Sequence, residues 1–170
     1  MKIDFEELTR DNYAEACYVN TEDIPDDFVS GIDEIREITE YGIAHNCMGH
    51  TYIIKVDGAC SGYILLGEAL RWETDPPQMQ EQPFYRLMGF VIDKNYRSMG
   101  IGGEVLEKVI TQIYKEFGIR PIALGCHKDN FRAEEFYKKH SFIKTEYMEG
   151  NDYYFLRYPS KYDFLECKTL

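Results

Sequence analysis

The sequence predicts a single mixed α/β domain, residues 1–170, in which helices cover both faces of a central sheet. Its 170 residues fit one domain of ordinary size, and a hydrophobic content of 44% supplies enough apolar side chains for a core. In some segments apolar and polar residues alternate, as they do in strands, and in others apolar residues recur at helical spacing. Their order, β-α-α-β-β-β-α-β-α-β-β, is neither the regular alternation of a doubly wound sheet nor an all-helical pattern.

The first half of the chain combines three strands with two helices. The predicted strands are 3–8, 51–56 and 60–70, and the predicted helices are 11–18 and a longer one that starts at residue 28 or 31. In the longer helix, isoleucines recur at helical spacing while acidic residues take the other face. The dipeptide Asp57-Gly58 tolerates a positive φ and therefore predicts a tight turn between the second and third strands.

The second half begins with a loop and continues with alternating strands and helices. The predicted strands are 84–92, 122–126, 142–148 and 153–158, and the predicted helices are 104–117 and 130–140. The helix at 104–117 has the clearest apolar stripe, and Gly118 follows it as a C-cap. Residues 71–83 contain three prolines and no period, so they are expected to form a long loop.

Charge and composition exclude several classes of function. A net charge of −11 gives no basic surface for nucleic acid, so no nucleic-acid partner is expected. No apolar run approaches the ~18 residues of a spanning helix, so no membrane association is expected. The first residues alternate and carry acids, unlike a signal peptide, which predicts a cytoplasmic protein. Five scattered cysteines without a C-x-x-C pair favour reduced thiols.

Two groupings of reactive residues are weak signals. His45, Cys47 and His50 lie close together in sequence, but a second pair at metal-ligand spacing is missing, so no metal site is expected. Cys126 and His127 would suggest a nucleophile and its base, but neighbouring residues on a strand point to opposite faces.

A glycine-rich segment between the strand at 84–92 and the next helix predicts an anion site. Gly100, Gly102 and Gly103 let an anion approach the free N–H groups at the start of a helix, and Arg97 adds a forked donor. The segment lacks the Gly-Lys-Ser/Thr of a Walker loop and the third glycine of a Rossmann fingerprint, because Val105 occupies that place. A tight strand-to-helix turn without a ligand is the alternative interpretation of the glycines.

Two motifs resemble those of the GNAT acetyltransferases. Arg97-Ser98-Met99-Gly100-Ile101-Gly102 is similar to the family's Arg/Gln-x-x-Gly-x-Gly/Ala, and residues 130–142 are similar to its Asn-x-x-Ala-x-x-x-Tyr-x-x-x-Gly-Phe. His140-Ser141 stands where the family usually has lysine or arginine followed by glycine, which leaves the helix C-cap open. The order of predicted elements matches the family over nearly the whole chain, with the cofactor-binding core at about 84–142.

The resemblance implies that acetyl-CoA is the co-substrate and that acetyl transfer to an amine is direct. Its pyrophosphate would bind the glycine-rich loop, its pantetheine would pair with the backbone of one strand, Asn130 would bond the pantetheine, and Tyr137 would protonate the departing thiolate. The residues assigned to the cofactor are Phe90, Val91, Ile92, Arg97, Ser98, Met99, Gly100, Ile101, Gly102, Gly103, Asn130, Ala133 and Tyr137. Without the resemblance, Tyr137 is one aromatic residue of the core among 14 tyrosines.

The general base and the acceptor are less constrained by the sequence. Glu68 and Glu73 flank the end of the third strand and are the nearest carboxylates for a base. Glu34 and Glu37 lie in an acidic segment that borders the acceptor side by resemblance, and Trp72 is placed to close over a cation. These features predict a small cationic amine, such as a polyamine or an aminoglycoside. The acids alternatively form only the solvated face of a helix.

Two other functions and the oligomeric state stay open at this point. A protein N-terminal amine acetyltransferase would differ only in its acceptor, and an acyl-CoA-binding sensor would keep the cofactor cleft without catalysis. A homodimer is compatible with the sequence, which gives no signal for or against it.

Overall fold

The computed structural model of the protein describes residues 1–168 as a seven-stranded sheet with six helices. The strands are β1 (Ile3–Glu7), β2 (Gly49–Val56), β3 (Ala59–Glu68), β4 (Tyr85–Ile92), β5 (Ile122–His127), β6 (Ile143–Glu149) and β7 (Asp152–Arg157). The helices are α1 (Tyr13–Ala16), α2 (Ile32–Ala44), α3 (Pro77–Glu81), α4 (Ile101–Phe117), α5 (Phe131–Lys139) and α6 (Lys161–Lys168). No helix within residues 1–168 has the length and apolar character needed to cross a membrane.

The sheet is mixed, with strand order β1-β2-β3-β4-β5-β7-β6. All neighbouring strands are antiparallel except β4 and β5, which run parallel. The predicted mixed sheet with helices on both faces is therefore confirmed. The predicted turn is also present, since Asp57 and Gly58 join β2 to β3 with φ values of 49° and 86°.

Several elements differ from the sequence prediction, among them α1, which spans only Tyr13–Ala16 of the predicted 11–18. Helix α3 lies within the expected loop and is held by Met79, which is buried against the Phe84 side of the core. Helix α4 begins at Ile101, three residues before the predicted start, because its first glycines are helical. Helix α6 was not predicted, and Asp163 fixes it by accepting hydrogen bonds from Arg157 (3.2 Å) and from the Ser160 N–H (2.6 Å).

The two faces of the sheet carry separate apolar clusters. Helix α4 inserts its apolar stripe into the larger cluster, together with residues of β2 to β5. Helices α1 and α2 cover the opposite face, where Ile35 is fully buried. Gly89 makes this packing feasible, because a Cβ at that position would lie 2.3 Å from Ile35 Cδ1. The second helix therefore rests directly on the middle of β4.

Strands β4 and β5 part after a short paired segment. Their pairs are Tyr85 with Ile122, Arg86 with Ala123 and Leu87 with Leu124. On the other side of β4, the register to β3 shifts between Leu65 and Leu66, so that Met88 forms a bulge. Beyond this point the β5-facing side of β4 borders a cleft in the sheet.

The end of α5 accounts for the unusual sequence at its C-cap. Ser141 has a φ of 67°, the left-handed conformation that a glycine adopts at lower cost. The His140 N–H and the Phe142 N–H both donate to the Tyr137 carbonyl, at 3.0 and 3.1 Å. The cap geometry is thus kept although serine occupies the glycine position.

Candidate active site

A cavity of about 810 Å³ lies on the α2 side of the sheet, where β4 and β5 part. Its floor includes the β4 segment 87–90 and Leu124 and Gly125 of β5. Helix α2 forms one wall, and Tyr137 of α5 reaches the cavity from the opposite side of the sheet. The cavity therefore joins the split in the sheet to a wide space under α2.

Carboxylates dominate the charge of this cavity. Eight of them line it: Glu7, Asp26, Asp27, Glu34, Glu37, Glu68, Glu149 and Asp152. The basic side chains in the lining are His50 and Arg86, and both are bound to acids. His50 contacts Glu7 through Nδ1 and Glu116 through Nε2, the latter at 2.6 Å. Because both basic groups are paired, the cavity favours a cation.

Arg86 belongs to a buried cluster that closes one end of the cavity. Its Nη2 donates to Asp75 Oδ1 at 2.9 Å and to the Leu70 carbonyl at 3.1 Å. The guanidinium lies over the Trp72 ring, 3.8 Å from its centroid. Tyr154 also donates to Asp75 Oδ1, at 3.0 Å. This cluster ties the segment between β3 and α3 to the sheet.

The cluster changes the role expected for the long segment after β3. Trp72, which the sequence placed to close over a cation, lines the cavity, but one face of its ring already stacks on Arg86. Asp75 is buried against Arg86 instead of facing a ligand. Glu73 is exposed and lies outside the cavity lining, so the geometry gives it no role as a base.

The remaining predicted acids do face the cavity. Glu34 and Glu37 project from α2 and are exposed, while Glu68 is half-buried at the end of β3. Glu68 Oε2 accepts a hydrogen bond from the Met48 N–H at 3.2 Å. Of the two predicted bases, Glu68 is therefore the one near the cleft, and part of its carboxylate is already occupied.

Tyr137 is held by aromatic contacts at the cleft. Its ring packs edge-to-face on Phe136 and Phe142, with centroids 5.3 and 5.6 Å apart. Burial raises the pKa of the Tyr137 hydroxyl well above its usual value, and the nearby Cys126 acts in the same direction. The phenol consequently stays protonated at neutral pH, which a proton donor requires.

The glycine-rich segment before α4 forms a tight turn into the helix. Ser98 and Gly100 have positive φ values of 62° and 79°, which turn the chain into the helix. The first N–H groups of a helix have no partner within it, and those of Ile101, Gly102 and Gly103 occupy this position. Arg132 of α5 adds a guanidinium beside this loop, with Nη2 donating to Ser98 Oγ at 3.3 Å. No motif in the sequence points to Arg132.

The sequence suggested that Arg97 donates to an anion, but its guanidinium is already bound within the protein. Its Nη1 donates to both oxygens of Asp23, at 2.7 and 2.6 Å, and its Nε donates to the Ile92 carbonyl at 2.7 Å. Nη2 lies 3.3 Å from the Asn20 carbonyl. Arg97 thus fixes the loop to the segment after α1, and the backbone N–H groups are left as the main donors for an anion.

The residues predicted to hold the rest of the cofactor flank the cleft. Phe90, Val91 and Ile92 pair with β3 on one side, and their other edge faces the parted strands. Asn130 caps α5, since its Oδ1 accepts from the Ala133 N–H at 3.2 Å. This cap uses the oxygen of Asn130, so a bond to a ligand would fall to its Nδ2.

The two groupings of reactive residues have structural roles. Cys126 is buried on the α4 side, whereas His127 stacks on Phe28 under the α1–α2 segment, so the predicted opposite orientation is confirmed. Within residues 1–168, no cluster of three or more His, Cys, Asp or Glu side chains is arranged to hold a metal ion. His45 instead bonds the Tyr41 carbonyl through Nδ1 at 2.8 Å.

The profile of the acetyltransferase (GNAT) family matches residues 11–142, more than three quarters of the chain. The chain belongs to the GNAT family. This match includes the parted strands, the glycine-rich loop and the helix that carries Tyr137. No curated protein matches the sequence of this GNAT protein.

Solved structures share the GNAT fold with this chain at low sequence identity. The PaiA N-acetyltransferase from Thermoplasma acidophilum, in complex with coenzyme A, has a TM-score of 0.66 and 18% identity over 94% of this chain and 100% of that chain. Naa50 from Arabidopsis thaliana, bound to a bisubstrate analogue CoA-Ac-MVNAL, has a TM-score of 0.61 and 20% identity over 92% and 97%. A GNAT acetyltransferase from Staphylococcus aureus has a TM-score of 0.64 and 17% identity over 92% and 98%.

Replacing Asp75 by asparagine tests the buried pair with Arg86. The change leaves the guanidinium buried without a counter-charge, so we expect the free energy of unfolding to fall by about 3–5 kcal/mol, measured by urea denaturation. Glu73→Gln is the matched control, because this exposed neighbour should alter stability by less than about 0.5 kcal/mol. Equal effects of the two changes would contradict a structural role for the pair.

Proposed function

We propose that this protein transfers the acetyl group of acetyl-CoA to a small cationic amine. The observation that carries the proposal is a cavity lined by eight carboxylates, in which both basic side chains are already paired, next to the split between β4 and β5. A cationic acceptor matches that charge, whereas an anionic acceptor would be repelled. Membership in the GNAT family supports the acetyl-transfer chemistry.

The glycine-rich loop and the cleft provide two adjacent sites for the cofactor. Free N–H groups at the start of α4 suit the pyrophosphate, because the helix dipole favours an anion there. The unpaired edge of β4 from Phe90 to Ile92 suits pantetheine, which has amide groups that can pair with a strand. An N–H next to the Met88 bulge would then be free to polarise the thioester carbonyl.

Tyr137 is proposed to supply a proton to the sulfur as the thioester breaks. It lines the cavity, and burial keeps its hydroxyl protonated. A thiolate is a fair leaving group, since thiols ionise near pH ~8.5, so an acid here increases the rate without being indispensable. This contribution separates the proposed enzyme from a binding protein that lacks catalysis.

The α2 carboxylates are proposed to capture the acceptor. Glu34 and Glu37 face the same cavity from consecutive turns of one helix and are exposed, so a flexible polycation can reach both. Charge-assisted hydrogen bonds from ammonium groups would hold it there. A peptide N-terminus is the second acceptor to test, because Naa50 with its peptide-containing bisubstrate analogue has the same fold.

The proposed cofactor site is tested with Gly102→Val. The added side chain would block close approach to the start of α4 and would also press on Phe136, whose ring lies 3.4 Å from a Cβ at this position. We expect calorimetry to show at least about a 100-fold loss of acetyl-CoA affinity, or about 2.7 kcal/mol. Gly31→Val is the control, because a Cβ there meets nothing within 4 Å. Unchanged affinity in a folded Gly102→Val protein would place the site elsewhere.

Tyr137→Phe tests the proposed acid. We expect kcat to fall roughly 10²-fold, the low end for general acid catalysis, because the thiolate leaves fairly well unaided. The affinity for acetyl-CoA should stay within about twofold, since the hydroxyl is needed only as charge develops on sulfur. Tyr153→Phe is the matched control, a half-buried tyrosine outside the cavity lining. Equal losses of kcat and cofactor affinity would assign Tyr137 to packing.

The acceptor is tested by following CoA release with a thiol reagent across polyamines, aminoglycosides, neutral amines and peptides. With the best cationic acceptor, replacing Glu34 and Glu37 by glutamine should raise KM for that acceptor about tenfold at low salt. This estimate assumes that each exposed charge contributes roughly 0.5–1 kcal/mol to binding. Added salt should reduce this difference, while KM for acetyl-CoA hardly moves. Glu40→Gln is the control, because Glu40 lies on α2 but outside the cavity lining. Efficient acetylation of only peptides or neutral amines would overturn the cationic acceptor.

A further inference from the structure

A carboxylate lies over the point where the two central strands part. Gly125 is the first residue of β5 beyond the last pair with β4, and it is exposed to the cavity. A Cβ at Gly125 would lie 3.4 Å from Asp152 Oδ2. The absence of a side chain at Gly125 therefore leaves space that the Asp152 carboxylate partly occupies.

The register between β5 and β7 fixes this placement. Gly125 is opposite Tyr154 and His127 is opposite Asp152, so all four side-chain positions share the cavity face of the sheet. Asp152 is the first residue of β7 and directly follows the turn at 150–151. It is half-buried and lines the cavity. A strand end, and not a loop, thus positions its carboxylate.

The other polar side chains near Gly125 already have partners within the protein. His127 Nδ1 accepts from the Asp129 N–H at 3.2 Å, and His127 Nε2 lies 3.3 Å from Asp27 Oδ2. Glu149 Oε2 lies 3.3 Å from the Tyr154 hydroxyl, whose single proton it shares with Asp75 Oδ1 at 3.0 Å. Among residues 1–168, no donor lies within hydrogen-bond distance of the Asp152 carboxylate. The Asp152 carboxylate therefore lies beside Gly125, where the strands part, with both oxygens available.

The surroundings of Asp152 also suit a proton acceptor. Burial raises the pKa of its carboxyl above the usual value, Glu149 and Asp27 act in the same direction, and His127 opposes them. Cys126 on the other face of β5 has a thiol whose pKa is raised to about 11 by burial first and by Asp152 second, so it stays neutral. A more basic carboxylate is a better base for an ammonium ion.

We propose that Asp152 accepts the proton that the acceptor ammonium must lose before it attacks the acetyl group. This inference rests on the proposed function and assigns the base that the sequence left open. An N–H bond of the ammonium breaks and its proton moves to Asp152. The nitrogen lone pair then forms the N–C bond while the C–S bond breaks. The sulfur takes the Tyr137 proton, the second nitrogen proton restores Tyr137, and Asp152 releases its proton to water.

Asp152→Asn tests the assignment because it preserves shape and removes the basic oxygen. We expect kcat/KM for the amine to fall about 10²–10⁴-fold at pH 7, the range of general base catalysis. The deficit should shrink toward pH 10, where the amine loses its proton without help. Acetyl-CoA affinity should stay within about twofold of the wild-type value.

Glu146→Gln is the matched control, because it neutralises an exposed carboxylate on the neighbouring strand β6 that lies outside the cavity lining. Its pH profile should keep the wild-type shape. A loss in Asp152→Asn that is equal at every pH would make Asp152 a structural or binding residue and overturn the proposal. An active wild type with an unimpaired Asp152→Asn variant would overturn this inference alone. A wild type that binds acetyl-CoA but acetylates no amine would overturn the proposed function and this inference together.

Discussion

The early end of the pairing between β4 and β5 is the constraint on which the site depends. A strand inside a sheet normally satisfies its N–H and C=O groups on both sides, but β4 loses its β5 partner after Leu87. The Met88 bulge and the missing side chain at Gly89 allow α2 to rest on the strand at the same level. The split, the cavity and the bulge are therefore parts of one local departure from regular sheet geometry.

The acidic residues between positions 22 and 37, after α1, fall into two groups with different contacts. Glu22 and Asp23 bind Lys94 (2.7 Å) and Arg97 (2.6 Å), which anchors the segment to the turn before α4. Farther along, Asp26, Asp27, Glu34 and Glu37 face the cavity. One stretch of sequence thus fixes the geometry of the glycine-rich loop and contributes to the charge of the cavity under α2. Because Arg97 is neutralised in this way, the donors left at the loop are the first N–H groups of α4 and the guanidinium of Arg132.

Local patterns were sufficient to predict most of the fold and the loop before α4. The apolar stripe of α4, the turn at Asp57 and the glycines after Arg97 each depend on neighbours within a few residues, and each appears where expected. The loop prediction failed at α3, because burial of Met79 stabilises a helix that has no periodic signal. Ser141 adopts the left-handed conformation of a helix C-cap, which the sequence did not decide because serine replaces the usual glycine there.

The missed features all depend on contacts between distant positions. Arg86 and Asp75 lie 11 residues apart and form a buried pair only because the segment after β3 folds back on the sheet. Asp152 reaches Gly125 through the register of β5 and β7, which no local pattern specifies. Arg132 meets the loop at Ser98 through the packing of α5. Its place near the end of the third strand marked Glu73 as a candidate base, but the fold leaves it outside the cavity lining.

An acidic cavity creates a conflict for an enzyme that acetylates amines. Carboxylates that attract a cation also stabilise its protonated form, whereas attack requires a neutral nitrogen. The distribution of charges in this protein offers a resolution, because the exposed Glu34 and Glu37 lie on α2 while Asp152 lies at the split itself. An acceptor with two or more amino groups can leave one as ammonium at the helix and present another to Asp152. A single amine would have to satisfy both requirements with one nitrogen. The separation of the two acidic groups therefore favours acceptors with several amino groups over monoamines.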